Sequence, residues 1–328
     1  MAFQAFRVHG GDAGHSAGID QIDLDDLSEG EITIQVAWSS VNYKDALAGS
    51  GKAKIMRRFP MAGGIDVAGH VTASQDDRFK EGDPVLVTGC GLSETRDGGY
   101  SEQLRIPAAN TVKVPEGLDL REAMGLGTAG FTAALCLHRM EQNGQQPDMG
   151  PILVTGATGG VGTLALQMFS GLGYEAHALS GKVERFHDLQ EFGASQCISR
   201  RDLHWGQRPL ESSKWAGAVD SVGGEMLSGL TRVIHPWGNI ASCGLAGGVE
   251  LHSTVMPFII RGVSLLGIDS VNCPYALRQE LWQRLASDLK PTRLDQLITR
   301  EVTMDQLPEV FELMMAGDSF GRTVVKVG

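Results

Sequence analysis

Residues 152–162 read ILVTGATGGVG and run on into TLALQM. Glycines at 156, 159 and 162, set between an apolar strand and a helix, suit one kind of chemistry: holding the pyrophosphate of a dinucleotide. One glycine permits the tight bend, one lets the phosphates approach the backbone, and one lets helix pack on strand. The helix start adds unpaired N–H groups and a positive dipole end. The spacing is not a strict G-x-G-x-x-G, and on its own the loop would serve equally as a structural turn. Its strand–turn–helix setting is what favours a nucleotide.

The next strand selects the nucleotide. An NAD site usually places Asp or Glu at its tip, bonded to the ribose 2′-hydroxyl. Here the tip reads Ala178-Leu179-Ser180-Gly181-Lys182, a hydroxyl and an ammonium with no carboxylate. Ser180 and Lys182 would hold a 2′-phosphate that an acid would repel, which points to NADPH. Arg200 and Arg201 follow the third strand and either add to this charge or form a solvated surface pair. A second cationic feature is KAKIMRR, residues 52–58, in a chain whose 28 Lys and Arg against 39 Asp and Glu give a net charge of −11. No acid lies between Asp45 and Asp66, so the stretch is uncompensated in sequence. Either it meets a small anion or it is a solvated loop with fortuitous charge.

These residues need a scaffold. The 328 residues suffice for two domains. The first ~120 residues show strand alternation and frequent glycine turns; EITIQVAW (31–38) and DPVLVTG (83–89) are strands. REAMGLGTAGFTAALCLHRM (121–140) reads as a helix interrupted by small residues. Apolar strands then alternate with helices at 151–157, 174–180, 215–223, 238–246 and 263–270, with a further strand just before Arg200. That alternation implies a parallel sheet covered on both faces. Two amphipathic helical stretches follow residue 271, and GRTVVKVG closes the chain as a strand. The expected architecture is an α/β nucleotide-type domain inserted in a mostly β domain. The acidic balance argues against nucleic acid. No apolar run spans a bilayer and the N-terminus lacks signal-peptide character, so a cytoplasmic protein is expected. Five scattered cysteines without a C-x-x-C pair fit reduced, buried thiols.

The order of VNYKD (41–45), GIDVAG with Asp66 inside it, GGYSE (98–102), GTAGFTA (127–133), VTGATGGVG (154–162) and VDSVGG (219–224) resembles the medium-chain dehydrogenase/reductase superfamily over essentially the whole chain. The resemblance implies a doubly wound Rossmann domain, residues 125–265, inserted in a GroES-like catalytic domain, residues 1–124 and 266–328. Zinc-dependent members carry a Cys in the first segment and Gly-His-Glu in the second. Here Asn42 and Ile65-Asp66 stand in those places, a set that cannot supply a tetrahedral zinc site, so no metal is expected. Without that Lewis acid, alcohol oxidation is hindered, whereas hydride addition to an activated C=C proceeds without a metal.

Further stretches, CGLAGG, TVMPFIIRGVSLLGIDSV and the terminal GRTVVKV, resemble the acryloyl-CoA reductase (NADPH) group, also known as quinone oxidoreductases. That resemblance implies reduction of acryloyl-CoA to propanoyl-CoA by a cytoplasmic homodimer. It assigns cofactor contacts to Tyr43, Thr158, Gly159, Gly160, Val161, Ser180, Gly181, Lys182, Arg200, Leu245, Ile259 and Ser270. Tyr43 is the candidate catalytic side chain. Arg57 and Arg58, within the basic stretch, are the candidates for the phosphates of an acyl-CoA substrate. Lys44 and Asp45 read as a charge pair at a helix start, and Asn42 as a space-filler. Quinone or enone reduction, and non-catalytic NADPH binding, remain alternatives; residues 271–320 match least.

Overall fold

A computed structural model describes residues 2–10 and 14–328. The chain divides into two compact units. One comprises residues 1–128, 271–287 and 294–328; the other comprises 129–270 and 288–293. The divisions fall a few residues beyond the expected 124/125 and 265/266.

The first unit opens with β1 (Phe3–His9) and β2 (Ser16–Ile22), an antiparallel hairpin. It continues through β3 (Ile32–Val41), α1 (Tyr43–Gly49), β4 (Met61–Ala62), β5 (Asp66–Ser74), β6 (Pro84–Thr88), β7 (Gln103–Ile106) and β8 (Val112–Lys113). The inward positions of β3, Ile32, Ile34 and Val36, are buried with Val67, Val71, Val85, Val87, Leu104 and Ile106, as period-2 patterning demands. The helical stretch expected from 121 is α2 (Leu120–Gln142), but it breaks at Gly127, whose φ of 51° and ψ of −155° leave helical space. A Cβ there would lie 2.5 Å from Asp66 Oδ2, so only glycine fits.

The second unit is a six-stranded parallel sheet. Its strands are β9 (Ile152–Thr155), β10 (Ala176–Ser180), β11 (Ala194–Ser199), β12 (Trp215–Asp220), β13 (Ile234–Ser242) and β14 (Ser264–Gly267). Its order is β11-β10-β9-β12-β13-β14, so the strand order reverses between β9 and β12, where doubly wound sheets bind ligands at their carboxyl ends. Every residue of β9, β10 and β12 is buried, as for strands covered on both faces. The connecting helices are α3 (Gly160–Gly171), α4 (Phe186–Glu191), α5 (Gly224–Val233) and α6 (Met256–Arg261). Leu153, Leu179, Ala218, Leu230 and Ile240 share one core. β13 starts four residues before the expected 238. Its first turn exposes Pro236 and Trp237, which masks the strand pattern.

The chain then returns through α7 (Tyr275–Leu285) and α8 (Leu294–Leu297) to β15 (Ile298–Thr303), α9 (Leu307–Ala316) and β16 (Arg322–Lys326). β15 was not legible: it pairs only with β16 and exposes three consecutive residues, Thr299, Arg300 and Glu301. β16 runs antiparallel to β3 and completes a seven-stranded sheet, bringing Arg322 beside the end of β3. Over this sheet, Phe6, Tyr100 and Phe311 form an aromatic cluster with centroids 5.9–6.3 Å apart. Phe311→Ala opens that cluster and is expected to cost about 3–5 kcal/mol, read as a shift of the urea transition; a loss below ~1 kcal/mol would remove the cluster from the core.

Candidate functional site

In the second unit the glycine turn is built by steric exclusion. Gly156 has φ +57°. A Cβ on Gly162 would stand 2.5 Å from Gly156 O and 2.7 Å from Ala157 Cα, so the start of α3 lies directly on the turn. Gly159 caps α3 without a side chain, and no acid occupies its first turn. The first N–H groups of a 12-residue helix therefore face whatever the turn admits. Asp220, fully buried at the end of β12, fixes the two loops flanking the reversal. It accepts Thr155 Oγ1 at 2.6 Å and Gly223 N at 2.8 Å, while Ser221 Oγ donates to Thr155 O at 3.1 Å. Burial pushes the Asp220 carboxyl up, and those donors oppose the rise.

At the tip of β10 the expected residues converge. Ser180 Oγ lies 3.4 Å from Thr158 Oγ1 and accepts Lys182 N at 3.0 Å. Arg200 N donates to Ser180 O at 2.9 Å, and its guanidinium is 3.4 Å from where a Gly181 Cβ would be. The tip therefore carries the Ser180 and Thr158 hydroxyls and the Arg200 guanidinium, with Lys182 next in sequence and no Asp or Glu among residues 178–182, side-chain chemistry that suits a phosphate. Leu245 and Ile259 are exposed, and Ser270 Oγ accepts Thr132 Oγ1 at 2.9 Å. The cradle left by Gly156, Gly159 and Gly162 passes the same test for a pyrophosphate.

In the first unit Tyr43 opens α1 and is 43% exposed. Behind it lies a buried polar cluster that sequence reasoning missed. Asp66 accepts Ser40 Oγ at 2.6 Å, Asn42 Nδ2 at 2.7 Å, and Thr128 through N at 3.0 Å and Oγ1 at 2.5 Å. Arg322 Nη2 is 3.9 Å from Asp66 and donates to Ser40 Oγ at 2.7 Å. Burial lowers the Arg322 pKa, opposed by Asp66 and Asp45. Tyr100 donates to Ser40 O at 3.0 Å, and burial holds its phenol well above the ordinary range. Asn42 is thus a donor and not a space-filler. The expected Lys44–Asp45 pair does not form. Lys44 pairs with Glu94 at 2.5 Å, while buried Asp45 accepts Asn42 N at 2.9 Å and Ile65 N at 3.0 Å. These donors are backbone groups, invisible to a reading of charge spacing.

Two of the four cations of the basic stretch meet acids in space. Arg58 donates to buried Asp97 at 2.7 Å and to Ser28 Oγ, and Arg57 lies 3.7 Å from Glu94. Lys52, Lys54 and Arg57 are exposed.

Residues 28–116 match the model of the alcohol dehydrogenase GroES-like domain and residues 160–287 that of the zinc-binding dehydrogenase. Acrylyl-CoA reductase AcuI of Ruegeria pomeroyi is 45% identical, covering 95% of this chain and 94% of its own. The YhfP protein of Bacillus subtilis, provisionally named a quinone oxidoreductase, is 45% identical over 99% of both chains. The chain belongs to the medium-chain dehydrogenase/reductase superfamily, in its quinone oxidoreductase-like branch. A solved YhfP structure with NAD bound has a TM-score of 0.95 to this chain, covering 99% of each. Escherichia coli YhdH with bound NADPH also gives 0.95, at 44% identity over 99% of this chain and 100% of that one. A superfamily zinc ion does not fit here. The lone pairs of Asp66 are taken by four donors, a guanidinium stands beside it, and no group of three or more His, Cys, Asp or Glu among the described residues could hold a metal.

Asp45 makes a pH prediction. Burial, then the charge of Asp66, pushes its carboxyl from 3.8 up to about 7. Between those values the unfolded chain has lost a proton that the folded chain keeps, so stability falls as pH rises across the window and levels off above it. Unfolding free energies at pH 5 and pH 8 are expected to show a larger fall for the native chain than for Asp45→Asn. Equal falls would assign the slope to other groups.

Proposed function

We propose that this chain is an NADPH-dependent reductase of the C=C bond in a short α,β-unsaturated acyl-CoA, converting acryloyl-CoA to propanoyl-CoA. The observation that carries the reading is the tip of β10, where residues 178–182 include no acid, Ser180 Oγ takes the Lys182 N–H and the Arg200 guanidinium lies beside Gly181, a set suited to a 2′-phosphate. The similarity to AcuI supplies the substrate class. Residues Thr158 to Val161 offer the pyrophosphate backbone N–H groups. Ser180, Gly181, Lys182 and Arg200 hold the 2′-phosphate. Leu245, Ile259 and Ser270 are the further cofactor contacts of the second unit, and Tyr43 is the cofactor contact of the first.

When bound, NADPH supplies the hydride taken up by the β-carbon. The thioester oxygen gains negative charge in that step, and a preorganised donor at such an oxygen is typically worth ~3–4 kcal/mol. Tyr43, presented at the start of α1, orients substrate or nicotinamide through its hydroxyl. Arg57, with Lys52 and Lys54, receives the coenzyme A phosphates; Arg58 is held by Asp97 and contributes structure. A proton then completes the α-carbon. The protein works as a cytoplasmic homodimer, with the edge strand β14 as the candidate junction. A second reading, quinone or enone reduction, is favoured by the likeness to YhfP.

The test is NADPH oxidation with acryloyl-CoA, crotonyl-CoA and a benzoquinone. The expected result is the highest kcat/KM with acryloyl-CoA, and in Arg57→Ala a several-fold rise in KM for acryloyl-CoA only. A benzoquinone preference, or an equal effect of Arg57→Ala on both acceptors, would favour the second reading. NADPH binding without turnover on any acceptor would make the protein a binder.

A further inference from the structure

Asp66 does more in the first unit than fill a place where related sequences hold a metal ligand. It is fully buried, and its bonds come from two chain segments that are distant in sequence, residues 40–42 and Thr128. Ser40 lies at the end of β3, Asn42 immediately precedes α1, and Thr128 follows the break at Gly127. Both carboxylate oxygens face Thr128 N at 3.0 Å, so one group fixes the helical segment after Gly127. The same oxygen that takes Asn42 Nδ2 also takes Ser40 Oγ, so the same group fixes the residue before Tyr43. Arg322 adds a second clamp on that residue through Asn42 Oδ1 at 3.3 Å and Val41 O at 3.2 Å. Tyr43 itself is solvent-exposed, and among the described residues no hydrogen bond holds its hydroxyl. Its direction is therefore set by the backbone at Asn42, which Asp66 holds through the side-chain amide at 2.7 Å while Asp45 holds the backbone N–H at 2.9 Å.

We propose that Asp66 is a positioning residue that aims Tyr43 through Asn42, performing with hydrogen bonds the organising task that a metal ion performs elsewhere in the superfamily. The proposal rests on the reading that Tyr43 orients substrate or nicotinamide. Loss of the Asp66–Asn42 bond frees the first turn of α1, and a misplacement of about 1 Å in such a residue can cost on the order of tenfold to a hundredfold in rate.

The test is a double-mutant cycle on Asp66→Asn and Tyr43→Phe, read as kcat and KM with acryloyl-CoA and with benzoquinone. Asp66→Asn is expected to lower kcat by about tenfold in the native background and by less than about twofold in the Tyr43→Phe background. Additive effects, with Tyr43→Phe harmful by itself, would overturn the positioning role and leave the functional reading intact. A neutral Tyr43→Phe would remove Tyr43 from the reaction and the proposal with it. Asn42→Ser, which keeps a helix-capping hydroxyl but is too short to donate to Asp66, should repeat the coupling if Asp66→Asn folds poorly. A second readout needs no turnover. With four tyrosines in the chain, fluorotyrosine labelling gives few ¹⁹F lines, and Tyr43→Phe assigns one. That line is expected to shift or broaden in Asp66→Asn and in Asn42→Ser. An unmoved line would overturn the proposal.

Discussion

A carboxylate removed from water must be surrounded by donors, since an unpaired one costs several kcal/mol. Asp45, Asp66, Asp97 and Asp220 are almost wholly buried among the described residues, and three of them, Asp45, Asp66 and Asp220, recruit donors from strand ends and loops near the sites described above. Asp45 ties the start of α1 to Ile65. Asp66 ties the end of β3, the start of α1 and the break in α2. Asp220 ties the end of β9 to the loop after β12. The sheets alone would leave these loops to wander. Satisfying the buried charges leaves them few positions.

The consequence for chemistry differs in the two units. In the second, the fixed loops leave a glycine-lined turn and a cationic tip at the carboxyl ends of a parallel sheet, where a doubly wound topology places its ligand. In the first, the fixed loops present one phenol at the start of a short helix. A guanidinium and a ring of hydrogen-bond donors surround Asp66 behind it. Organisation there comes from many small directed bonds, each typically worth about 0.5–3 kcal/mol. Such a network is expected to be cooperative and sensitive to single substitutions.

Much of the second unit was legible because its signals are local. The glycines of the turn lie within seven residues, and Ser180 and Lys182 sit at the tip of a single strand, so spacing alone places them at the ends of β9 and β10. The parallel sheet of this unit follows from its strand–helix alternation. The cluster around Asp66 was not legible because its members are far apart in sequence: Thr128 is 62 residues from Asp66, and Arg322 is 282 from Ser40. The basic stretch misled for the same reason. Nothing acidic adjoins it in sequence, yet Glu94 and Asp97 fold back upon it. Adjacent opposite charges at Lys44 and Asp45 misled in the other direction, because burial and backbone donors claimed Asp45 first. β15 escaped notice because an edge strand need not bury alternate residues.

The likeness to a relative solved with NAD as well as to one solved with NADPH makes the phosphate at the β10 tip the sharpest point of the account. Dissociation constants for NADPH and NADH, measured by titration of the purified protein and of Lys182→Ala, address it directly. The account predicts that NADPH binds at least about tenfold more tightly than NADH, a difference of ~1.4 kcal/mol, and that Lys182→Ala removes most of that gap by weakening NADPH alone. Equal affinities, or a preference for NADH that survives the substitution, would contradict it.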